Sequence, residues 1–316
     1  MPRDLPLMVL LAVVCGLMAW KLPSFRTPGN LAAVAEGAAL LGIMACGEGL
    51  VILCGGLDLS VGSALALATC GTAAALTAGW AWPLAALVGL LCGGLAGAIN
   101  GALITYRRLP PILTTLATLL LFRYGVSLLT NARSYGPFPD AFNQIGNGWT
   151  PAVLLVVVVL FFILLTRQMR FGRWVLALGG NEQAARLSGV PTDRVKRLAY
   201  LLSGLCAGLA GLITMAFNNN AQSRDGKGLE LNVIAACVVG GIRITGGDGS
   251  LLGAALGALL ITLLGNALIL TSRPEDQHGL FTGLVIVVVA LIEQWRLRRQ
   301  ERAAREGAVR PGEVRP

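Results

Sequence analysis

GEGLVILCGGLDLSVGSALALA, residues 47–68, decides how this chain is read. Its first half is continuously apolar, a Gly55–Gly56 pair breaks it, and a second apolar run opens after Asp58 and Ser60. Apolar runs of this length on both sides of a glycine pair predict two membrane-crossing helices joined by a tight turn. Gly55 and Gly56 are suited to closing the first helix, and Asp58 or Ser60 to capping the second. The carboxylate would then sit at the cytoplasmic end of the spans, at the positive end of a helix, and not in hydrocarbon. On this reading the four residues form a hinge at an inner gate.

The whole composition agrees with a bilayer. Of 316 residues 55% are hydrophobic and 13% charged, with a mean hydropathy of +0.72, about half the charge of a soluble domain. The 41 glycines fit helices that approach closely through small residues. A net charge of +9 would suggest nucleic acid in a soluble chain. Here it reads as the excess of Lys and Arg on cytoplasmic loops, because no basic stripe alternates with aromatics, and no nucleic-acid partner is expected. Cys15, Cys46, Cys54, Cys70, Cys92, Cys206 and Cys237 all lie in apolar segments without metal or redox spacing, so they read as small buried hydrophobes.

Hydrophobic runs broken by Pro, Gly, Asn and charge predict an all-α polytopic membrane protein of about ten transmembrane helices. They fall near residues 5–20, 31–54, 60–79, 83–105, 112–130, 151–166, 198–217, 229–241, 250–271 and 279–295. With the amino terminus inside, alternate crossings place 18 of the 25 Lys and Arg residues in the cytoplasm and 6 outside, with Arg123 inside a helix. That bias favours cytoplasmic amino and carboxyl termini. Residues 1–295 form the transmembrane domain on this reading, and residues 296–316 a basic cytoplasmic tail. Residues 5–20 have the alternative of a cleaved signal peptide, but no convincing small-x-small site follows, and the segment is expected to be retained.

The largest internal segment, 167–197, contains RFGRWVLALGGNEQAARLSGVPTDRVKR. Its middle predicts a short helix with both ends marked. Asn181 is the N-cap, Glu182 suits the positive end of the dipole, and Gly189 followed by Pro191 stops it. A capped helix held between spans favours a partner site. Outside, the polar loop 131–150 is expected to be ordered by its aromatics against the membrane surface. A weak internal echo links LVILCGGLDLSVGSALALA (50–68) with CVVGGIRITGGDGSLLGAALGA (237–258), and makes Gly246 and Gly247 the counterpart of the first turn.

Four ordered blocks carry a resemblance to a known family: GEGLVILCGGLDLSVGSALALA, RRLPPILTTLATLLLFRYG, FGRWVLALGGNEQAARLSGV and GLELNVIAACVVGGIRITGGDGSLLGAALGAL. Taken together, from residue 30 to 293, the chain resembles the ribose-type monosaccharide permeases of bacterial ATP-binding-cassette importers. The resemblance implies a ten-helix permease subunit in the inner membrane that pairs with a second copy or a paralogue. It also implies a periplasmic sugar-binding protein that delivers the substrate, and a cytoplasmic ATPase that drives import. Ribose, xylose, rhamnose, galactofuranose or a furanosyl autoinducer would all suit. Residues 180–189 then become the ATPase-coupling element, with Gly180, Asn181, Glu182, Ala184, Ala185, Arg186 and Gly189 at the matching positions. The arginine-glycine usual in the family is interrupted here by Tyr124, between Arg123 and Gly125.

Ionisable residues inside spans cost about 2.5–3.5 kcal/mol each when unpaired, so Glu36, Glu48 and Arg123 should face the bundle. Arg123 is expected either to pair with Glu48 or Glu36 or to line the sugar path. Sugar passage calls for amides and hydroxyls of releasable affinity. By residue type the candidates are Asn100, Asn266, Thr114, Thr115 and Thr118, each also suited to helix packing. Residues 218–227, NNNAQSRDGK, are a candidate contact for the binding protein.

Enzyme signals are missing from the sequence: no Walker A, HExxH or GxSxG motif occurs, and the single histidine, His278, has no Cys/His cluster around it. No catalytic residue, metal or cofactor is expected on this chain, with ATP bound by the partner subunit. A proton-coupled secondary carrier working through Glu48 or Glu36 is the alternative, against which the capped internal helix argues.

Overall fold

The computed structural model describes residues 4–271 and Gly283. The basic tail, His278 and, apart from Gly283, the expected tenth helix lie outside the described residues. Twelve α-helices follow in order among those residues: α1 (Leu5–Lys21), α2 (Pro28–Leu53), α3 (Val61–Thr77), α4 (Trp82–Tyr106), α5 (Pro111–Leu129), α6 (Asp140–Asn143), α7 (Thr150–Arg167), α8 (Arg170–Gly180), α9 (Glu182–Leu187), α10 (Thr192–Asn218), α11 (Leu229–Val239) and α12 (Leu251–Leu270). A 3-10 turn, Pro23–Arg26, joins α1 to α2.

The nine expected helices within this range are all present. Six of them, α2, α4, α5, α7, α10 and α12, are long and apolar enough to cross a membrane, whereas α1, α3 and α11 are shorter. The internal segment is more structured than expected, because α8 precedes the short helix and α10 begins at Thr192, ahead of the apolar run that starts near residue 198. Pro191 sets that start, and the polar turn Thr192–Arg197 extends the helix beyond its apolar part.

Chain reversals use one device repeatedly. After α2, Gly55 takes φ +78° while its N–H donates to Ile52 O and that of Gly56 to Val51 O. This pair of bonds satisfies carbonyls left over at the helix end and requires a residue tolerant of left-handed backbone. Gly79, Gly189 and Gly241 repeat it after α3, α9 and α11, and Asn131 does so after α5. Glycine pairs 55–56 and 240–241 therefore perform the same closure in the two echoed segments.

The second half of α2 is buried without a break from Leu41 to Leu53, and α10, α12, α7 and α11 surround it. Burial on all sides demands an apolar helix with no polar stripe. Beside it, α4 and α10 meet backbone to backbone. A methyl group on Gly93 or Gly97 would collide with backbone atoms of Gly204, Gly208 or Tyr200, which is the small-residue packing available to helices in lipid.

Leu84, Leu87, Leu91 and Leu95 of α4 stay exposed, as do Val153, Val156, Leu160 and Leu164 of α7. Such faces are stable only in hydrocarbon or against another chain. Trp20, Trp80, Trp82 and Trp149 are exposed at helix ends, where indole rings favour the headgroup layer. Loop 131–150 is ordered by its aromatics: Phe138 and Phe142 are buried and meet edge to face, 5.9 Å apart.

Candidate functional site

Asp58 and Ser60 are buried in the turn between α2 and α3, and the turn's polar groups are held by side chains from four helices. Glu48 Oε1 on α2 accepts the Asp58 N–H at 3.0 Å. Asp58 Oδ1 accepts the Ser60 N–H at 2.9 Å and the Ser60 hydroxyl at 2.6 Å. Asn100 on α4 donates to Ser60 Oγ at 2.7 Å and receives the Thr118 hydroxyl of α5 at 2.7 Å. The hydroxyls of Thr115 on α5 and Tyr200 on α10 both donate to Leu57 O, at 3.2 and 3.3 Å. Buried irregular backbone survives only when its polar groups are satisfied in this way.

This corrects the capping expectation. Ser60 occupies the N-cap position of α3 without a side-chain cap bond. Asp58 binds Ser60 instead of the first turn of α3, and it is 2% exposed. The carboxylate is the centre of a buried polar cluster and not a helix cap. Glu48 is fully buried with it, and its Oε2 has no hydrogen-bond partner.

Arg123 pairs with neither Glu48 nor Glu36. Its Nη1 donates to the carbonyls of Ser223, at 2.9 Å, and Asp225, in the loop between α10 and α11. Arg123 lies more than one helical turn beyond Thr118 on α5, beside the loop whose carbonyls it takes. Glu36 accepts the Thr214 hydroxyl at 3.4 Å. Asn266 exchanges two amide bonds with Asn30, at 2.7 and 3.2 Å, fastening α12 to the start of α2. It is thereby committed to helix packing, as is Thr114, whose hydroxyl returns to Pro110 O.

The short helix α9 has the ends its sequence predicts. Asn181 Oδ1 accepts the Ala184 N–H at 3.0 Å, and Gly189 with φ +81° closes the helix. Ions then bind it to its neighbours. Lys196 on α10 reaches both oxygens of Glu182 at 2.8 Å, Arg186 bridges Glu182 and Asp193, and Arg108 grips Asp193 with two bonds of 2.8 and 3.0 Å. Desolvation disfavours the Glu182 carboxylate, but the hydrogen bonds and charges of Lys196 and Arg186 outweigh it and hold its pKa below the ordinary value. Asp193 is likewise held low, with Arg108 prevailing over desolvation. Each exposed pair contributes at most about 1 kcal/mol, so the set fixes geometry more than stability.

Ala185 points into the protein, 5% exposed, whereas Leu187 on the same short helix is 90% exposed. At the other end, α8 runs into a backbone junction. Gly247 donates its N–H to Leu53 O at 3.0 Å, and Gly179 lies so close that a methyl group there would collide with both Leu53 O and Gly247 N. Gly246 packs on Gly55, and Gly247 on Gly180. The two echoed turns, far apart in sequence, thus meet each other and the end of α8 at one point.

The described residues form an all-helical bundle with six helices long and apolar enough to cross a membrane and a short capped helix, the architecture of a polytopic membrane protein. Residues 30–290 match the family described as branched-chain amino acid transport system / permease component, and the chain belongs to that family. It is a multi-pass membrane protein of the kind that serves ATP-binding-cassette import.

A probable ABC transporter permease protein of Sinorhizobium fredii is 37% identical over 298 residues, covering 92% of this chain and 88% of the relative. The autoinducer 2 import system permease of Photorhabdus luminescens is 35% identical over 300 residues, 92% and 89% of the two chains. The ribose import permease of Escherichia coli K12 is 36% identical over 297 residues, 91% of each. No solved structure matches the chain.

Several residues of the site escaped sequence reading, Tyr200, Arg108, Asp193 and Lys196 among them, as did Gly179 and Leu187. Gly179 was overshadowed by its neighbour Gly180, since the spacing of contacts across 70 residues is invisible in a glycine-rich chain. Leu187 was hidden because an apolar residue suggests burial, although its position two residues from Ala185 already turns it to the opposite face of a helix.

Proposed function

We propose that the chain is the permease subunit of an importer for a small carbohydrate of the ribose class. It lies in the bacterial inner membrane through about ten helices, with both termini in the cytoplasm. A second copy or a paralogue completes the channel, a periplasmic binding protein delivers the sugar, and ATP is bound and hydrolysed on a separate cytoplasmic ATPase. Relatives covering nine tenths of the chain and named for ribose and autoinducer 2 import support the substrate class.

The observation that carries the mechanism is the continuity from α9 to the hinge. A rigid helix with Leu187 projecting from it, clasped by ions to α10, whose Asp193 is held in turn by Arg108 after α4, is joined through α8 to Gly179, Leu53 and Gly247. Motion of the ATPase against α9 is delivered without slack to the ends of α2 and to the turn before α12, because close-packed backbone moves as a unit. Asp58 and its partners hold the adjoining turn in one shape while the glycines permit rotation around it.

Leu187 is the anchor for an apolar cleft on the ATPase. Burying a leucine contributes about 1.5–3 kcal/mol, so Leu187→Asp should weaken ATPase association by roughly ten- to a hundredfold. Co-purification of the complex measures it, and unchanged association would refute α9 as the docking element.

A further inference from the structure

An open pocket lies where the end of α5 meets the loop between α10 and α11. Arg123, Tyr124 and Ser127 line it from the helix, and Ser223, Arg224 and Lys227 from the loop. Three cations and no carboxylate are among its lining residues. The helix and loop are built around one another. Arg123 Nη1 grips the carbonyls of Ser223 and Asp225, on either side of Arg224. Within the loop, Asp225 Oδ2 accepts the Gln222 N–H at 3.0 Å, and the N–H groups of Asp225 and Lys227 donate to the carbonyls of Gln222 and Arg224 at 3.1 Å. These bonds fasten the backbone and leave the Arg224 and Lys227 side chains at the surface.

Guanidinium, ammonium and hydroxyl groups converging on an open volume are the donor set for a phosphate. A neutral sugar has no need of three cations. The surroundings identify the source of the phosphate. Leu121, Tyr124 and Leu128 lie three and four residues apart on one face of α5, and all are exposed, by 68%, 65% and 79%. Leu121 lies about one turn from the pocket toward the middle of α5, where it suits an acyl chain. We infer that this pocket binds the phosphate of an anionic membrane lipid, whose chains lie along Leu121 toward the middle of α5. The inference does not depend on the substrate proposed above.

The test compares phosphatidylglycerol with phosphatidylcholine retained by the full chain after detergent extraction, read by native mass spectrometry. Wild type should retain phosphatidylglycerol selectively. An Arg224→Ser/Lys227→Ser variant should bind it roughly thirtyfold more weakly, the effect of removing two cations beside an anionic headgroup. A charge-preserving Arg224→Lys/Lys227→Arg variant should keep it. Equal retention by wild type and the serine variant would overturn the inference. So would displacement of the lipid by inorganic phosphate at comparable concentration, which would make the site one for a soluble anion. Undiminished lipid retention by a serine variant that has lost association with a binding protein or a second copy would assign the cations to a protein interface instead.

Discussion

Asp58 shows how far one residue can be read from sequence alone. Its neighbourhood of glycine and serine identified a turn correctly, and the closure by Gly55 and Gly56 followed from the glycine pair itself. What could not be read was that Glu48, Asn100, Thr115, Thr118 and Tyr200 converge on that turn, since they come from four helices whose relative rotation no local pattern encodes. Asp58→Ala would leave the Ser60 N–H and hydroxyl without their acceptor, at a cost of about 1–3 kcal/mol per buried group. A lower thermal unfolding midpoint for Asp58→Ala, with most of it restored in Asp58→Asn, is the expected outcome. Glu48→Gln separates structure from proton coupling, because the amide keeps an oxygen for the Asp58 N–H but cannot carry an acidic proton. Uptake should persist in Glu48→Gln, and its abolition in a folded variant would favour the secondary carrier.

At the scale of elements, α9 was legible because caps are local: Asn181 and Gly189 mark its ends in the sequence and in space. The amphipathic α8 was not, although Gly172, Val175 and Leu178 fall on one buried face. Its importance comes from Gly179, where no side chain fits against Leu53 and Gly247. Gly179→Ala forces these backbones apart, and overpacking of this kind costs about 1–3 kcal/mol. Uptake should fall far more than ATP hydrolysis in the assembled complex, and equal loss of both would deny the junction a role in transmission.

The ionic clasp makes a prediction about pH. Glu182 and Asp193 are held below their ordinary values of 4.5 and 3.8. Their contribution is therefore complete above those values and is lost as pH falls through the lower folded ones. Proteolytic resistance of segment 181–193 should stay constant between neutral pH and about 5, then decline in stronger acid. A decline beginning near neutrality would contradict the clasp.

The whole molecule was the most legible level. Hydrophobic runs and glycine located nine of the ten expected helices, the tenth lying outside the described residues, because every span must satisfy its own backbone hydrogen bonds in lipid. The pairing of helices was less accessible. Contacts such as Gly97 against Tyr200, or Gly246 against Gly55, depend on rotation and register, and the expected Arg123–glutamate pair failed for the same reason. Those contacts bring the two echoed turns and the end of α8 to one place, the route proposed above from partner to hinge.

Transport driven by ATP through that route is the central claim, and reconstituted uptake tests it most directly. Proteoliposomes holding the chain with its cognate ATPase and binding protein should accumulate a labelled pentose only when ATP is supplied, and a protonophore should leave the rate unchanged. Accumulation that follows an imposed proton gradient without ATP would contradict the account.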